Sequence, residues 1–209
     1  MIYAIGYHLS RWIARTFFAL SVEGQEHVPE SGPVILAPNH VSYLDPVLVG
    51  ISVSRRVHFM AKKELFRNPF MGWLLRAVQA YPVTRERVDP STLKRTLSFL
   101  AAGRVVLMFP EGTRGDGRAL RPAKPGIGVV AARSGATVIP VFHWGAERVL
   151  SRGSRRVRRV PLRVRFGPPL TFPTGGRPDR EAVEAFCLEL MEAIAALRPP
   201  AEQPILASR

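Results

Sequence analysis

The sequence predicts a single α/β domain with a mostly parallel central sheet that is flanked by helices. Short apolar runs alternate with helical patterns along most of the 209 residues. The runs are almost wholly apolar, which is typical of strands that are covered on both faces of a sheet. An alternation of strands and helices favours parallel pairing, and the chain is long enough for one domain with a sizeable core.

The predicted elements follow one another without a long linker or an internal repeat. An N-terminal helix over 1–22 precedes the α/β domain over 23–198, and a flexible tail spans 199–209. Strands are predicted at 33–37, 57–61, 80–84, 105–109, 137–142 and 162–166. Helices are predicted near 45–53, 69–78, 90–102, 125–134 and 178–197.

Residues 1–22 have the pattern of a helix that lies in the plane of a membrane interface. His8, Arg11 and Arg15 share one face at helical spacing, and apolar side chains occupy much of the rest. The closely spaced aromatic residues Trp12 and Phe17 suit the interfacial zone of a bilayer. An ordinary packing helix is the alternative. No stretch approaches 18 uninterrupted apolar residues, so no bilayer-spanning segment is predicted.

The formal net charge of +14 indicates a polyanionic partner. Nucleic acid, an anionic membrane surface and phosphorylated substrates are the classes to consider. Nucleic acid is disfavoured because the arginines are not interleaved with aromatic residues and no binding motif is present. The single Cys187 excludes an intrachain disulfide and fits a cytoplasmic setting. The five histidines show no ligand spacing, so no metal is expected.

The densest basic segment, residues 152–166, ends in a predicted strand. Apolar and arginine residues alternate there, as in a strand with one buried and one solvated face. One interpretation is an edge strand that its charges protect from aggregation. The other is a contact surface for lipid headgroups or for an acidic carrier protein.

The stretch "NHVSYLDP" over 39–46 places His40 and Asp45 directly after a buried strand. The bland interpretation is a polar cluster that closes the strand and caps the next helix. The chemical interpretation is a general base, His40, whose second ring nitrogen is held by Asp45. No G-x-S-x-G elbow is present to supply a nucleophile, so such a base would act on a substrate hydroxyl.

The stretch "FPEGTRGDG" over 109–117 forms a turn after the strand at 105–109. Backbone N–H groups around Gly112, the Thr113 hydroxyl and the Arg114 guanidinium suit an anion, and the alternative is a solvent-exposed turn. Arg85 and Lys62 follow two further strands. Because ligands in such domains gather at the carboxyl ends of strands, these polar groups are predicted to share one edge of the sheet.

Four blocks together resemble the glycerolipid acyltransferases, the family that includes the 1-acyl-glycerol-3-phosphate (lysophosphatidate) acyltransferases. "NHVSYLDP" resembles its N-H-x-S-x-x-D signature, and "FPEGTR" matches its third block letter for letter. "AYPVTR" and "TVIPV" are similar to its second and fourth blocks, and the four stand in the family's order across 39–141. The second block lacks the family's Phe-Ile-Asp lead-in. The resemblance implies a glycerol-3-phosphate acyltransferase-like fold.

The resemblance also implies a role for each candidate residue. His40 would deprotonate the acceptor hydroxyl, Asp45 would hold His40, and no acyl-enzyme would form. The acceptor phosphate would be bound by Arg85 and Arg114, helped by Gly112, Thr113 and Lys62. Glu111 belongs to this binding loop, where it shapes the loop or supports an arginine. Asn39 and Ser42 are supporting residues.

The predicted function is transfer of an acyl group from acyl-CoA or an acyl carrier protein to lysophosphatidate, giving phosphatidate. No cofactor is implied, because the thioester is itself the donor. The enzyme would sit on the cytoplasmic face of a membrane with anionic lipids, peripherally or monotopically. Alternatives are another lysolipid or lipid alcohol as acceptor, a thioesterase, and a basic non-enzymatic protein that binds membranes or nucleic acid.

Overall fold

The computed structural model describes residues 2–83, 90–117, 119–149, 157–173 and 179–199. The strands are β1 (Ser21–Glu23), β2 (Val34–Pro38), β3 (Val57–Lys62), β4 (Ala80–Val83), β5 (Val105–Leu107), β6 (Thr137–Trp144) and β7 (Arg163–Phe166). The α-helices are α1 (Ile2–Phe18), α2 (Asp45–Ile51), α3 (Pro69–Ala77), α4 (Pro90–Ala101), α5 (Pro125–Ser134), α6 (Ala146–Val149) and α7 (Arg180–Ala196). Short 3-10 helices lie at Gln25–His27 and Lys63–Phe66.

One sheet contains these strands in the order β1-β7-β6-β2-β5-β3-β4. Every adjacent pair is parallel except β6 with β7, which confirms the predicted mostly parallel sheet. The hydrophobic core lies on both faces, because successive side chains of a strand point to opposite sides. In β2, Val34 and Leu36 face a layer that includes α2, whereas Ile35 and Ala37 face α4, α5 and α7.

The register brings the ends of five strands to one edge of the sheet. Leu36 of β2 lies opposite Leu107 of β5 and Ile139 of β6, and Phe59 of β3 also lies opposite Leu107. Lys62, the last residue of β3, pairs with Val83 of β4. The segments that follow β2, β3, β4, β5 and β6 therefore all leave at the carboxyl edge.

Two predictions about the flanks of the sheet are wrong. The N-terminal helix does not extend over 1–22, since α1 ends at Phe18 and Ser21–Glu23 form the strand β1. The interpretation of the basic segment as an edge strand also fails, because β1 pairs with β7 on the side away from β6. A three-residue strand is too short to leave an apolar run in the sequence, so β1 could not be predicted. Most of the tail predicted at 199–209 lies outside the described residues.

His58 of β3 carries a pH dependence of stability. Its side chain is buried and stacks on Phe99, with ring centroids 4.3 Å apart. Burial, together with the positive charges of Arg104 and Arg95, lowers the pKa of His58 from 6.5 to about 4. The unfolded chain therefore takes up this proton at a higher pH than the folded protein does. The contribution of neutral His58 to the free energy of unfolding is fully present above pH 6.5 and is lost as the pH falls towards 4.

We expect His58 to make the protein about 3 kcal/mol less stable at pH 4 than at pH 7. The measurement is urea unfolding of the wild type and of His58→Gln at both pH values. The variant should lack this part of the pH dependence, because glutamine does not titrate. An identical loss of stability in both proteins would show that His58 is not the responsible group.

Candidate active site

The segment between β2 and α2 brings His40 and Asp45 into direct contact. His40 lies just beyond the carboxyl end of β2, and Asp45 is the first residue of α2. Nδ1 of His40 is 2.8 Å from Oδ2 of Asp45, and the two residues are 5% and 0% exposed. Because a carboxylate only accepts hydrogen bonds, the proton is assigned to Nδ1, and Nε2 is left with its lone pair. Nε2 makes no hydrogen bond to any described residue.

The Asp45 carboxylate organises the whole turn. Its Oδ2 atom also accepts the backbone N–H groups of Val41 at 2.7 Å and Ser42 at 2.8 Å. These donors precede α2, and the N-cap residue Leu44 makes no side-chain cap. The helix-capping interpretation of "NHVSYLDP" is therefore wrong, because the carboxylate serves His40 and its turn.

A second histidine, His143, lies beside the Asp45 carboxylate. Nε2 of His143 lies 3.6 Å from Oδ1 of Asp45 and 2.9 Å from the carbonyl oxygen of Asn39, to which it donates. The Asn39 side chain accepts the His143 N–H at 2.9 Å and donates to the His143 carbonyl at 3.0 Å. All three residues are buried. Asn39 thus fixes the position of His143, whose ring N–H donates to the Asn39 carbonyl, while Oδ1 of Asp45 lies 3.6 Å away without a hydrogen bond to the described residues.

The loop after β5 covers His40 on its other side. The Phe109 ring stacks on the His40 imidazole with centroids 3.8 Å apart. The buried Glu111 carboxylate accepts the backbone N–H groups of His40 at 3.0 Å and Arg121 at 3.1 Å. The N–H of Gly115 donates to the His40 carbonyl at 2.7 Å. Glu111 therefore ties two loops together, and both of its oxygens are engaged by the protein itself.

Arg114 emerges from this loop beside the His40–Asp45 turn. Its guanidinium carbon lies 3.5 Å from the ring centroid of Tyr43, a residue of that turn that is 74% exposed. No carboxylate pairs with Arg114 in the described part of the chain. Stacking on an aromatic face orients the guanidinium plane and leaves its N–H groups able to bind an anion.

Gly112 makes room for a second cation at the same loop. Its φ is +68°, a conformation that residues with a Cβ rarely adopt. A Cβ at Gly112 would lie 2.7 Å from Cδ and 3.2 Å from Nζ of Lys124. The Lys124 ammonium therefore lies against the loop that carries Arg114, while the Lys124 backbone N–H donates to the Pro110 carbonyl at 2.9 Å. Thr113 is exposed in the same loop.

Lys62, another predicted binding residue, is less closely tied to this cluster. Lys62 lies at the carboxyl edge, but β5 separates its strand from β2, and its ammonium lies 3.7 Å from the Glu64 carboxylate. A separation of two strands corresponds to roughly 10 Å. Arg85 lies outside the described residues.

Neither candidate nucleophile is suited to forming an acyl-enzyme. Ser42 is buried, and its hydroxyl accepts the Leu44 N–H at 3.3 Å within the turn. Cys187 lies in α7 with its Sγ atom 3.8 Å from the Lys124 carbonyl, and burial raises the pKa of its thiol. A higher pKa reduces the thiolate fraction on which cysteine nucleophilicity depends. Within the described residues, no group of three or more His, Cys, Asp and Glu side chains could hold a metal ion.

Sequence reasoning missed three contributors to this site. His143 directly follows the run predicted as a strand at 137–142, so the rule that selected His40 would have found it. The stacking of Tyr43 on Arg114 joins two loops that are far apart in sequence, and no local pattern encodes it. Lys124 directly precedes α5, and no motif marks it as part of the loop at 109–117.

Comparison with known proteins identifies the family of this chain. An acyltransferase family model matches residues 19–144. The 1-acyl-sn-glycerol-3-phosphate acyltransferase of Bacillus subtilis (strain 168) is 30% identical over 152 residues, which cover 72% of this chain and 73% of the relative. A chloroplastic 1-acyl-sn-glycerol-3-phosphate acyltransferase of Arabidopsis thaliana is 32% identical over 146 residues, which cover 68% of this chain but 40% of the relative.

A solved structure shares the fold. The crystal structure of the 1-acyl-sn-glycerophosphate acyltransferase PlsC from Thermotoga maritima superposes with a TM-score of 0.75 at 23% identity. The match covers 97% of this chain and 80% of that one. The predicted fold class is therefore confirmed.

Proposed function

The chain belongs to the acyltransferase family, and we propose that it transfers a fatty acyl group from an acyl thioester to the free hydroxyl of 1-acyl-glycerol-3-phosphate, giving phosphatidate. The observation that carries this proposal is the buried His40–Asp45 pair beside Arg114, a cation without a carboxylate partner among the described residues. The relatives named above support the acceptor, since each is described as acting on 1-acyl-glycerol-3-phosphate.

The proposed reaction uses the substrate hydroxyl as the nucleophile. Nε2 of His40 takes the hydroxyl proton while the oxygen attacks the thioester carbonyl carbon. The Asp45 carboxylate, 2.8 Å from Nδ1, stabilises the imidazolium that forms. The tetrahedral intermediate then collapses, the C–S bond breaks, and the sulfur leaves as a thiol with the proton that His40 returns. The products are the acylated lipid and the free thiol, and no acyl-enzyme is needed.

The acceptor is held by its phosphate in this proposal. Arg114 presents a planar fork that matches two phosphate oxygens, and Lys124 adds a second positive charge at the same loop. The Thr113 hydroxyl completes the binding loop, whereas the Gly112 N–H is donated to the Phe109 carbonyl at 3.1 Å and supports the turn itself. Lys62 lies at the rim of the same edge of the sheet, and Arg85 is proposed as a further ligand of the phosphate.

A membrane surface is the proposed place of action. No helix in the described part of the chain is both long and apolar enough to cross a bilayer. Large apolar side chains are nevertheless exposed on α1 and around α3, including Ile5 at 60%, Phe70 at 68% and Trp73 at 52%. Exposed apolar surface of this kind marks contact with lipid or with a partner. We place the enzyme peripherally or monotopically on the cytoplasmic face, with acyl-CoA or an acyl carrier protein as donor.

A transfer assay tests the proposal. The purified protein is incubated with radiolabelled acyl-CoA or acylated carrier protein and with lysophosphatidate in vesicles, and the lipid products are separated. Labelled phosphatidate is the expected product. Free fatty acid alone would indicate a thioesterase, a product formed only from another lysolipid would change the acceptor, and no thioester consumption would leave a non-enzymatic binding protein.

Arg114→Ala is expected to raise the KM for lysophosphatidate roughly tenfold or more and to leave the KM for the thioester within about twofold. A charge-assisted hydrogen bond contributes about 1.5–3 kcal/mol, and the donor makes no use of this arginine in the proposal. The measurement is steady-state kinetics with each substrate varied in turn. Arg133→Ala, an exposed arginine on α5, is the control. Equal increases in both KM values would contradict the phosphate role.

A further inference from the structure

A cavity of 620 Å³ lies between α1 and the segment that leads into β3. Its walls carry an unusual concentration of cationic and aromatic side chains. The lining residues that matter here are Tyr3, Tyr7, Arg11, Trp12, Arg15 and Arg56. The reaction described above uses none of them.

This cavity is at the opposite edge of the sheet from the candidate active site. Arg56 immediately precedes β3, and the Tyr3 hydroxyl accepts the N–H of Val57, the first residue of that strand, at 3.1 Å. Lys62 ends the same strand at the carboxyl edge, so the two edges are about 17 Å apart along β3. The cavity is therefore separate from the loops that carry His40 and Arg114.

Two of the arginines of the cavity, Arg11 and Arg56, lie against aromatic rings. The Arg11 guanidinium lies 5.7 Å from the Tyr7 ring centroid and donates to the Tyr7 hydroxyl, and the Arg56 guanidinium lies 5.7 Å from the Tyr3 centroid. The sequence of α1 contains no Asp or Glu. None of the ion pairs found among the described residues includes Arg11, Arg15 or Arg56. Arg11 and Arg56 are thus held in place, and no carboxylate among the described residues neutralises the charge of the site.

An exposed apolar face of α1 adjoins these arginines. Ile5, Leu9 and Trp12 are 60%, 53% and 57% exposed, and Ile13 and Phe17 extend the same side. Successive residues of a helix are 100° apart, so Arg11 and Arg15 form a stripe between this exposed side and the side of α1 that packs on the protein. When such a helix lies in a bilayer interface, its apolar side chains enter the acyl region and its flanking cations reach the depth of the phosphates.

We propose that this cavity binds the phosphate of an anionic membrane phospholipid, with the guanidinium groups of Arg11, Arg15 and Arg56 as its ligands. Trp12, at the mouth, lies against the glycerol and upper acyl region of the same lipid. The inference rests on the proposed membrane association, and it adds a lipid site that is distinct from the acceptor site. The proposed ligand is a lipid headgroup and not free phosphate, because the exposed apolar face of α1 adjoins the arginines.

The test compares binding to phosphatidylcholine vesicles with binding to vesicles that contain 30 mol% phosphatidylglycerol, by co-sedimentation. The key variant is Arg11→Lys with Arg56→Lys, which keeps the charge and removes the guanidinium fork. We expect this variant to bind the anionic vesicles roughly fivefold or more weakly than wild type, with little change on phosphatidylcholine. Arg11→Gln with Arg56→Gln should weaken binding further, because each basic residue near an anionic surface contributes about 1 kcal/mol.

Lys94→Gln with Arg133→Gln removes the same charge from exposed positions on α4 and α5, across the sheet from α1. It should bind the anionic vesicles within about twofold of wild type. An equal loss in this control, or wild-type binding by the double lysine variant, would reduce the effect to net charge and overturn the proposal. Release of the protein by millimolar inorganic phosphate at constant ionic strength would show that free phosphate occupies the cavity, which overturns the lipid assignment.

Turnover in detergent micelles separates this inference from the proposed function. Binding to vesicles requires no chemistry, so an inactive wild type would count against the function while the vesicle result still decides the cavity. We expect the double lysine variant to acylate micellar lysophosphatidate at the wild-type rate. A raised KM for the acceptor with unchanged vesicle binding would place these arginines in the acceptor site and overturn the inference.

Discussion

His40→Ala is expected to lower kcat for acyl transfer by about 10²- to 10⁴-fold, the usual contribution of a general base. The KM values should change little, because His40 acts on the hydroxyl proton and not on the phosphate. Nε2 has no hydrogen-bond partner among the described residues, whereas Nδ1 is fixed by Asp45 at 2.8 Å. The measurement is initial rate with saturating thioester and lysophosphatidate. Wild-type turnover in the variant would refute the base assignment.

A second buried histidine is a matched control. His58 is as buried as His40, at 5% exposure for each, and its ring also stacks on a phenylalanine. His58 lies in β3, beside the last strand β4 and near the edge of the sheet opposite His40, and its pKa is lowered to about 4. His58→Gln should therefore keep kcat within a few-fold at pH 7. A similar loss in both variants would mean that perturbed packing, and not a missing base, lowers the rate.

The fold could be predicted from the sequence because its strands are buried on both faces. Runs such as 33–37 and 105–109 have no polar residue to conceal their pattern, and the observed strands Val34–Pro38 and Val105–Leu107 lie within a residue or two of them. The prediction was wrong for β1, where three residues pair with β7 through backbone hydrogen bonds. Backbone pairing does not depend on side-chain type, so a sequence carries little sign of it.

For the site, the sequence could predict only which residues follow the carboxyl ends of strands and therefore lie at one edge of the sheet. That rule selected His40, Arg114 and Lys62, and the structure places all three at the carboxyl edge. It did not reveal that the Glu111 carboxylate accepts two backbone N–H groups or that the Tyr43 ring stacks on Arg114. Those contacts depend on how two loops fold over one another. The catalytic and binding roles themselves stay predictions.

Asp45→Asn is the second substitution with a large expected effect, a fall in kcat on the order of 10³-fold. The amide can still accept from His40 and from the backbone of Val41 and Ser42, provided that its oxygen takes the place of Oδ2. It carries no charge, so the imidazolium that forms during proton transfer loses its stabilising partner. The amide nitrogen would then take the place of Oδ1, which lies 3.6 Å from Nε2 of His143. Two hydrogen-bond donors, the amide NH2 and the ring N–H, would face each other there.

The kcat effect can be separated from loss of structure by a matched substitution. Asp179 caps α7, where its carboxylate accepts the Ala182 N–H at 2.7 Å, and asparagine is an equally good cap. Asp179→Asn should leave both kcat and the unfolding midpoint nearly unchanged. Asp45→Asn should unfold cooperatively and keep its KM values, while its kcat falls. If its activity instead declined only in proportion to the folded fraction, Asp45 would be a structural residue of the turn and His40 would need no charged partner.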